Sequence, residues 1–353
     1  MSKYFTDRLS ALTPYTPGEQ PKDQKYVKLN TNESPFPPSL SVIEAARDSA
    51  ERLQLYCDPE CKRLTEKAAE IFGVGYDNVI MTNGSDEALY FAFMAFSDDS
   101  HPIAFADITY GFYPVFASLL GIPSEIIPLK EDFSIDPEDY VGLNKNIVIA
   151  NPNAPTGKCL PLSDIERIVR TNPDNVVIID EAYVDFGGES AMPLTEKYDN
   201  LIVTGTFSKS RSMAGARLGF AVGCESLIRD LQTIKYSTNP YNVNSMTQAA
   251  GYAALTDNGY YMDNCKKIIE NREYTERELT TLGFEVIPSK ANFVFAKSDR
   301  IPGGELYKKL RERGVLVRHF DKDRIKEYNR ITIGSREQME IFIGAVKDIL
   351  EAK

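Results

Sequence analysis

The sequence predicts an α/β protein with a large, mainly parallel sheet domain and a smaller α+β domain. Three observations carry that reading. Between residues 78 and 223, short runs rich in β-branched residues alternate with longer helical or loop segments, as strands joined by crossover helices do. Beyond Tyr260 the pattern changes to a charged helical stretch, four short apolar runs and a closing helix. The length of 353 residues exceeds one ordinary domain, and 42% hydrophobic with 26% charged residues is the balance of a chain with a sizeable core.

Taken in order, the first sixty residues are proline-rich, with Pro14, Pro17, Pro21, Pro35, Pro37 and Pro38, and read as an irregular arm rather than a third domain. Residues 78–82, 103–106, 146–150, 175–180 and 201–204 read as strands buried on both faces. Most end in polar or small residues, and open parallel sheets hold their ligands at the carboxyl ends of strands. After the charged helix, residues 284–286, 292–295, 315–318 and 330–333 read as strands of the smaller domain, closed by a helix from about Arg336.

Composition removes several function classes. The 51 acidic residues outweigh 40 basic ones, a formal charge of -11, whereas phosphate-backbone binding needs a concentrated basic surface, so nucleic acid is not expected as a partner. No run approaches a membrane span, and the first eight residues lack the apolar core of a secretory leader, so a soluble cytoplasmic protein is expected. Five scattered cysteines fit reduced thiols, and two histidines leave little for zinc chemistry, so no metal site is expected. Motifs of P-loop nucleotide hydrolysis, serine hydrolysis, zinc proteolysis and dinucleotide binding are missing.

What remains is a set of polar residues at strand ends. Thr206-Phe207-Ser208-Lys209 is followed by a small-residue turn carrying Arg217. A lysine amine attacks an aldehyde only after losing its proton, which a neighbouring cation and partial desolvation favour. The two hydroxyls and the guanidinium suit a phosphate beside it. Lys209 alone would read as a surface lysine, but Asp180 ends a buried strand, where a carboxylate caps a turn or faces a ligand cation. A carboxylate keeps a pyridine nitrogen protonated, so Asp180 with Lys209 describes pyridoxal phosphate. Asn83-Gly84-Ser85-Asp86-Glu87 opens the helical run at 88–96, and its amides suit an anion, although a plain N-cap by Ser85 also explains it. Tyr110 offers a ring to stack on a flat cofactor.

Six motifs in register then carry a resemblance. They are Leu29-Asn30-Thr31-Asn32-Glu33-Ser34-Pro35, Asn83-Gly84-Ser85-Asp86-Glu87, Asn151-Pro152-Asn153-Ala154-Pro155-Thr156-Gly157, Asp180-Glu181-Ala182-Tyr183, Ser208-Lys209 with Arg217, and Arg330-Ile331-Thr332-Ile333-Gly334. Across nearly its whole length the chain resembles the fold-type I pyridoxal-phosphate aminotransferases, and within them the histidinol-phosphate group. The resemblance implies a seven-stranded sheet between helices. It also implies three parts: residues 1–60 as arm and first part of the small domain, 61–258 as the cofactor-binding domain, and 259–353 as the small domain.

By the same resemblance, Lys209 holds the cofactor as a Schiff base, Asp180 pairs with the ring nitrogen, Tyr183 bonds the ring hydroxyl and Tyr110 stacks on the ring. The phosphate falls to Gly84, Ser85, Asp86, Thr206, Ser208 and Arg217, and to Tyr56 of a second subunit, which implies a homodimer. The asparagine usual before Pro-Thr-Gly is Ala154 here, and Asn153 is the candidate to replace it. Tyr15, Asn32, Arg318 and Arg330 are the substrate candidates, since one guanidinium clamp can grip both a carboxylate and a phosphate ester. The leading expectation is amino transfer between L-histidinol phosphate and 2-oxoglutarate, giving imidazole acetol phosphate and L-glutamate in histidine biosynthesis. An aromatic aminotransferase, a decarboxylase of phosphorylated amino acids and a cofactor-binding regulator on the same fold stay open.

Overall fold

The structure, a computed structural model, describes residues 2–10 and 12–352. The arm contributes a two-residue strand, β1 (Val27–Lys28). The large sheet follows in chain order as β2 (Val79–Thr82), β3 (Ile103–Ala106), β4 (Ser124–Ile127), β5 (Asn146–Ala150), β6 (Val177–Asp180), β7 (Leu201–Thr206) and β8 (Gly219–Gly223). Across the sheet the order is β2-β8-β7-β6-β5-β3-β4. The strands from β7 to β4 pair in parallel, while β8 runs antiparallel to both β2 and β7.

The central strands β5, β6 and β7 are apolar almost throughout because both their faces are covered. Val148, Ile178 and Ile202 pack with the helices Ser85–Phe96, Tyr113–Leu120 and Glu225–Thr238. Their neighbours Ile147, Ile149, Val177, Ile179 and Val203 face the other way, onto Ile165, Ile168 and Val169 of the helix Leu162–Thr171. Alternate side chains of one strand thus feed two cores, and no position is left for a solvent face.

The smaller sheet is antiparallel. Its strands are β9 (Phe284–Ile287), β10 (Phe293–Ser298), β12 (Arg318–His319) and β13 (Asn329–Thr332), in the order β12-β13-β10-β9. Between β10 and β12 in the chain, β11 (Val315–Leu316) leaves this sheet to pair in parallel with β1. The run at 315–318, expected as one strand, is therefore split at Val317, where the chain passes from one ladder to the other. Met339, Phe342, Ile343 and Val346 of the helix Arg336–Glu351 fill the core beneath.

Three further features depart from expectation. The strand β4 has an exposed first half, so it lacks the apolar run that marked the others. The strand β8 reads as Gly-Phe-Ala-Val-Gly, and its glycines hide it behind the preceding turn. Within the arm, Leu40–Ala50 is a regular helix packed on Ser245–Thr256, because Val42, Ala45 and Ala46 present one apolar stripe to Ala250 and Ala254. Among the described residues, no helix is long and apolar enough to cross a membrane.

The closing helix starts with a reciprocal cap: Gln338 N–H donates to Ser335 Oγ at 3.3 Å, and Ser335 N–H donates to Gln338 Oε1 at 2.8 Å. Ser335→Ala removes one half of it and should destabilise the fold by about 1 kcal/mol, read as a lower denaturant midpoint at unchanged slope.

Candidate active site

The carboxyl ends of β5, β6 and β7 and the helix start at Ser85 enclose a cavity of about 270 Å³ lined by Ser85, Asp86, Tyr110, Asp180, Tyr183, Thr206, Ser208, Lys209 and Arg217. A wider cavity of about 570 Å³ adjoins it, sharing Thr31, Tyr110, Ala154, Tyr183 and Lys209 and adding Tyr15, Asn32, Arg318 and Arg330. The fold thus gathers most of the sequence-derived candidates around one cleft.

Lys209 donates from Nζ to the Thr31 carbonyl at 3.2 Å. Burial brings its pKa down to about 8, Arg330 pushes further down, Glu33 and Asp86 oppose, and Arg217 adds a lesser downward push. The sequence pointed to Arg217 as the neighbouring cation, whereas the structure gives that part mainly to Arg330.

Asp180 is buried and its carboxylate is held from two sides. Tyr113 Oη donates to Oδ2 at 2.8 Å, and Thr204 Oγ1 approaches Oδ1 at 3.4 Å. Burial raises its pKa to about 6, partly offset by the Tyr113 hydrogen bond. Neither Tyr113 nor Thr204 figured among the sequence candidates. Nothing in the sequence near either residue signals these contacts, Tyr113 standing 67 positions from Asp180.

The other end of the inner cavity is built for an anion. Gly84 has φ +83, and a Cβ there would lie 2.6 Å from Arg217 Nη2. A Cβ on Gly219 would lie 2.3 Å from the Ser85 amide nitrogen. Both glycines therefore let β8 and the guanidinium close on the first turn of the Ser85–Phe96 helix, whose leading amides have no intrahelical acceptor. Thr206 Oγ1 donates to Ser208 Oγ at 2.9 Å. Asp86 accepts from Tyr110 Oη at 2.7 Å and from Arg217 Nη2 at 2.9 Å, which holds the Tyr110 ring and the guanidinium at the rim.

Tyr183 Oη accepts from Asn32 Nδ2 at 3.0 Å, so its own proton stays available for a further acceptor, and burial raises its pKa and keeps that proton on. Asn32 has φ +56, and its Oδ1 accepts from Thr332 Oγ1 at 2.9 Å, so its amide braces Tyr183 rather than standing free. Asn153, the candidate to replace the asparagine missing at Ala154, is engaged elsewhere. Its Nδ2 donates to the Ile108 carbonyl and to Thr156 Oγ1, and its Oδ1 accepts from Thr109. With the amide engaged in holding two strand-end loops together, Asn153 lines neither cavity.

In the outer cavity, Arg330 donates from Nη2 to the Asn30 carbonyl at 3.0 Å, its Nε is buried without a partner, and it has no carboxylate partner among the described residues. Arg318 donates to the Thr16 and Pro17 carbonyls at 3.0 and 3.3 Å. Tyr15 packs on Phe112 at 4.6 Å between ring centroids. Tyr56 is 84% exposed, stacks on Tyr241 and lines neither cavity of its own chain. Among the described residues no cluster of three or more His, Cys, Asp or Glu side chains is set up to hold a metal ion.

The donor set suits pyridoxal phosphate. A glycine-closed cradle of amides, hydroxyls and a guanidinium matches a phosphate, a buried carboxylate matches a ring nitrogen, and a lysine of lowered pKa matches an aldehyde carbon.

The family Aminotransferase class I and II matches residues 24–346. Histidinol-phosphate aminotransferase of Brachyspira hyodysenteriae is 50% identical over 99% of this chain and 100% of its own length. The protein of that name from Clostridium acetobutylicum is 48% identical over 99% of this chain and 100% of its own. Among solved structures, histidinol-phosphate aminotransferase from Sinorhizobium meliloti, in complex with pyridoxal-5'-phosphate, superposes with a TM-score of 0.90 over 100% of this chain and 99% of that one. Its identity of 24% makes it a likeness of fold.

The lowered Lys209 pKa has a measurable consequence. The neutral amine is the reactive form, so uptake of pyridoxal phosphate by cofactor-free protein should quicken as pH rises and level off above about 8. Arg330→Met removes a cation that favours deprotonation and should move that midpoint upward. Stopped-flow absorbance reads both, and a midpoint near the ordinary lysine value in the parent would contradict the assignment.

Proposed function

This chain belongs to the class I and II aminotransferases, and on that premise we propose that it transfers an amino group between L-histidinol phosphate and 2-oxoglutarate in histidine biosynthesis. The observation carrying the substrate is the 50% identity, over nearly the full length, to a protein named for that activity. The half-buried Arg330, with its Nε unsatisfied and no carboxylate partner among the described residues, supports it, because both a phosphate ester and a carboxylate need such a partner.

Pyridoxal phosphate is the cofactor, and residues 61–258 would hold it. Its phosphate would lie against the Ser85 and Asp86 amides, Thr206, Ser208 and Arg217, its ring nitrogen against Asp180, its ring hydroxyl against Tyr183, its face against Tyr110 and its aldehyde carbon on Lys209. When bound, it supplies an electron-withdrawing ring that stabilises charge on the substrate carbon next to nitrogen. The chain supplies the rest. The Lys209 amine, with its lowered pKa, is basic enough to take a proton from the substrate carbon and acidic enough to return it. The Asp180 carboxylate would hold a proton on the ring nitrogen. Tyr183, braced by Asn32, would orient the ring by donating to its hydroxyl. Arg330, with Arg318 and Tyr15 at the mouth, binds the phosphate of one substrate and the carboxylate of the other, so both half-reactions use one cleft.

We further propose a homodimer located in the cytoplasm. Leu40, Leu53, Leu55 and Tyr56 stand exposed around one segment, an apolar surface that a second copy would cover. Tyr56 would then reach the phosphate of the partner's cleft.

Lys209→Ala should abolish transamination, with loss of the borohydride-reducible cofactor band; a variant with near-normal turnover would place the chemistry on another lysine. Histidinol phosphate, phenylalanine, tyrosine and threonine phosphate should be offered separately with 2-oxoglutarate, and histidinol phosphate should give the highest kcat/KM without release of carbon dioxide. A hydrogen bond to a charged group is worth about 1.5–3 kcal/mol, so Arg318→Ala should cost roughly tenfold to a hundredfold with histidinol phosphate and less with an unphosphorylated donor. Equal losses for both donors would favour the aromatic aminotransferase.

A further inference from the structure

Asp180 faces the inner cavity with one side and the protein interior with the other. The interior side is held by Tyr113, the first residue of the helix Tyr113–Leu120. Its side chain is fully buried and lines neither cavity. Its ring is fixed by Phe105, edge-on at 6.0 Å, and by Phe93 at 6.4 Å, so the hydroxyl has one place to point, Asp180 Oδ2 at 2.8 Å. The same ring meets Tyr110 edge-on, with centroids 5.6 Å apart and planes at 84°. One side chain therefore touches both the carboxylate and the aromatic ring that would flank a flat cofactor.

We propose that Tyr113 is a positioning residue for the cofactor ring: its phenol fixes and weakens the basicity of Asp180, so that the proton shared with the ring nitrogen rests on the ring. This rests on the assignment of Asp180 to the ring nitrogen. The physical argument is that a carboxylate accepting a short hydrogen bond from a buried donor holds its charge more readily and competes less for a second proton. The groups facing Asp180 are few. The Ala182 amide and Thr204 act in the same direction as Tyr113, while burial and the Asp86 carboxylate oppose them. Thr204, at 3.4 Å, is the weaker hydroxyl donor. Without Tyr113 the carboxylate would draw the shared proton toward itself, and the ring would lose the charge that makes it electron-withdrawing.

The test uses the enzyme loaded with pyridoxal phosphate carrying 15N in the ring, without substrate. In the parent the ring nitrogen should resonate between the neutral and pyridinium limits, nearer the pyridinium, as a shared proton resting mainly on the ring requires. Tyr113→Phe keeps every ring contact and removes only the hydroxyl; it should move that resonance toward the unprotonated ring and weaken cofactor binding on the order of tenfold. Thr204→Val should produce a smaller movement. Site-specific 3-fluorotyrosine at position 113, a stronger donor, should move the resonance the opposite way, and it decides the matter if the phenylalanine variant does not fold. A resonance that stays at the parent position in the variants would overturn the role of Tyr113 alone. A parent that takes up no cofactor would overturn the Asp180 assignment and this inference together.

Discussion

A single stretch of the arm, residues 29–33, makes the contacts on which the cleft depends. Leu29 donates its amide to the Leu316 carbonyl and accepts from the Thr332 amide, which ties the arm between β11 and β13. The next two carbonyls then serve the two half-buried cations, Asn30 accepting from Arg330 and Thr31 from Lys209. Asn32, in the left-handed region, turns its amide back to Tyr183 and Thr332. Glu33 ion-pairs with Lys28 and lies close enough to Lys209 to act on its charge. A segment of five residues thus links the smaller sheet to Lys209 and Tyr183 at the ends of the large one, at the point where the chemistry sits.

That linkage answers an electrostatic problem. Lys209 and Arg330 are half-buried cations lining one cleft, and Arg330 disfavours the charge on Lys209. Desolvation of two like charges is tolerable only if polar groups stand in for water, and the arm carbonyls do so without neutralising either group. A carboxylate in the same positions would hold both cations charged and occupy the place of an incoming anion. Neutral carbonyls leave Lys209 readily deprotonated and Arg330 with donors to spare.

Much of this was legible in the chain. The doubly covered strands announce themselves as unbroken apolar runs, and the site residues fall at their ends because parallel strands all finish on one side of the sheet. Lys209, Asp180, Arg217 and the helix start at Gly84 were found that way. What was hidden depends on contacts between distant segments. Tyr113 is one of 19 tyrosines, and nothing in its neighbourhood reveals that its hydroxyl meets Asp180, 67 positions away. The residue type of Asn153 fits a cofactor contact, but nothing in the sequence reveals that its amide bonds Ile108, Thr109 and Thr156. The helix Leu40–Ala50 was masked by the prolines just before it, which lie ahead of its N-cap Ser39 and so do not interrupt it.

The two arginines at the outer cavity are held differently, and the difference bears on how one cleft would serve two substrates. Arg330 sits on β13 with its Nε unsatisfied and its guanidinium near Phe293 and Phe320, a rigid setting whose orientation does not depend on the arm tip. Arg318 instead directs both terminal nitrogens to the Thr16 and Pro17 carbonyls, next to Tyr15, which itself packs over Phe112. An anion engaging Arg330 meets a fixed receptor. One large enough to reach Arg318 must share that guanidinium with the arm, and so draws the arm and Tyr15 into its binding. On the proposed reading a compact dicarboxylate and a longer phosphate ester would use the same anchor, and only the ester would recruit the arm. Discrimination between donors then resides at the arm carbonyls of Thr16 and Pro17 that hold Arg318, while the cofactor end is closed by Gly84 and Gly219 against Arg217 and Ser85.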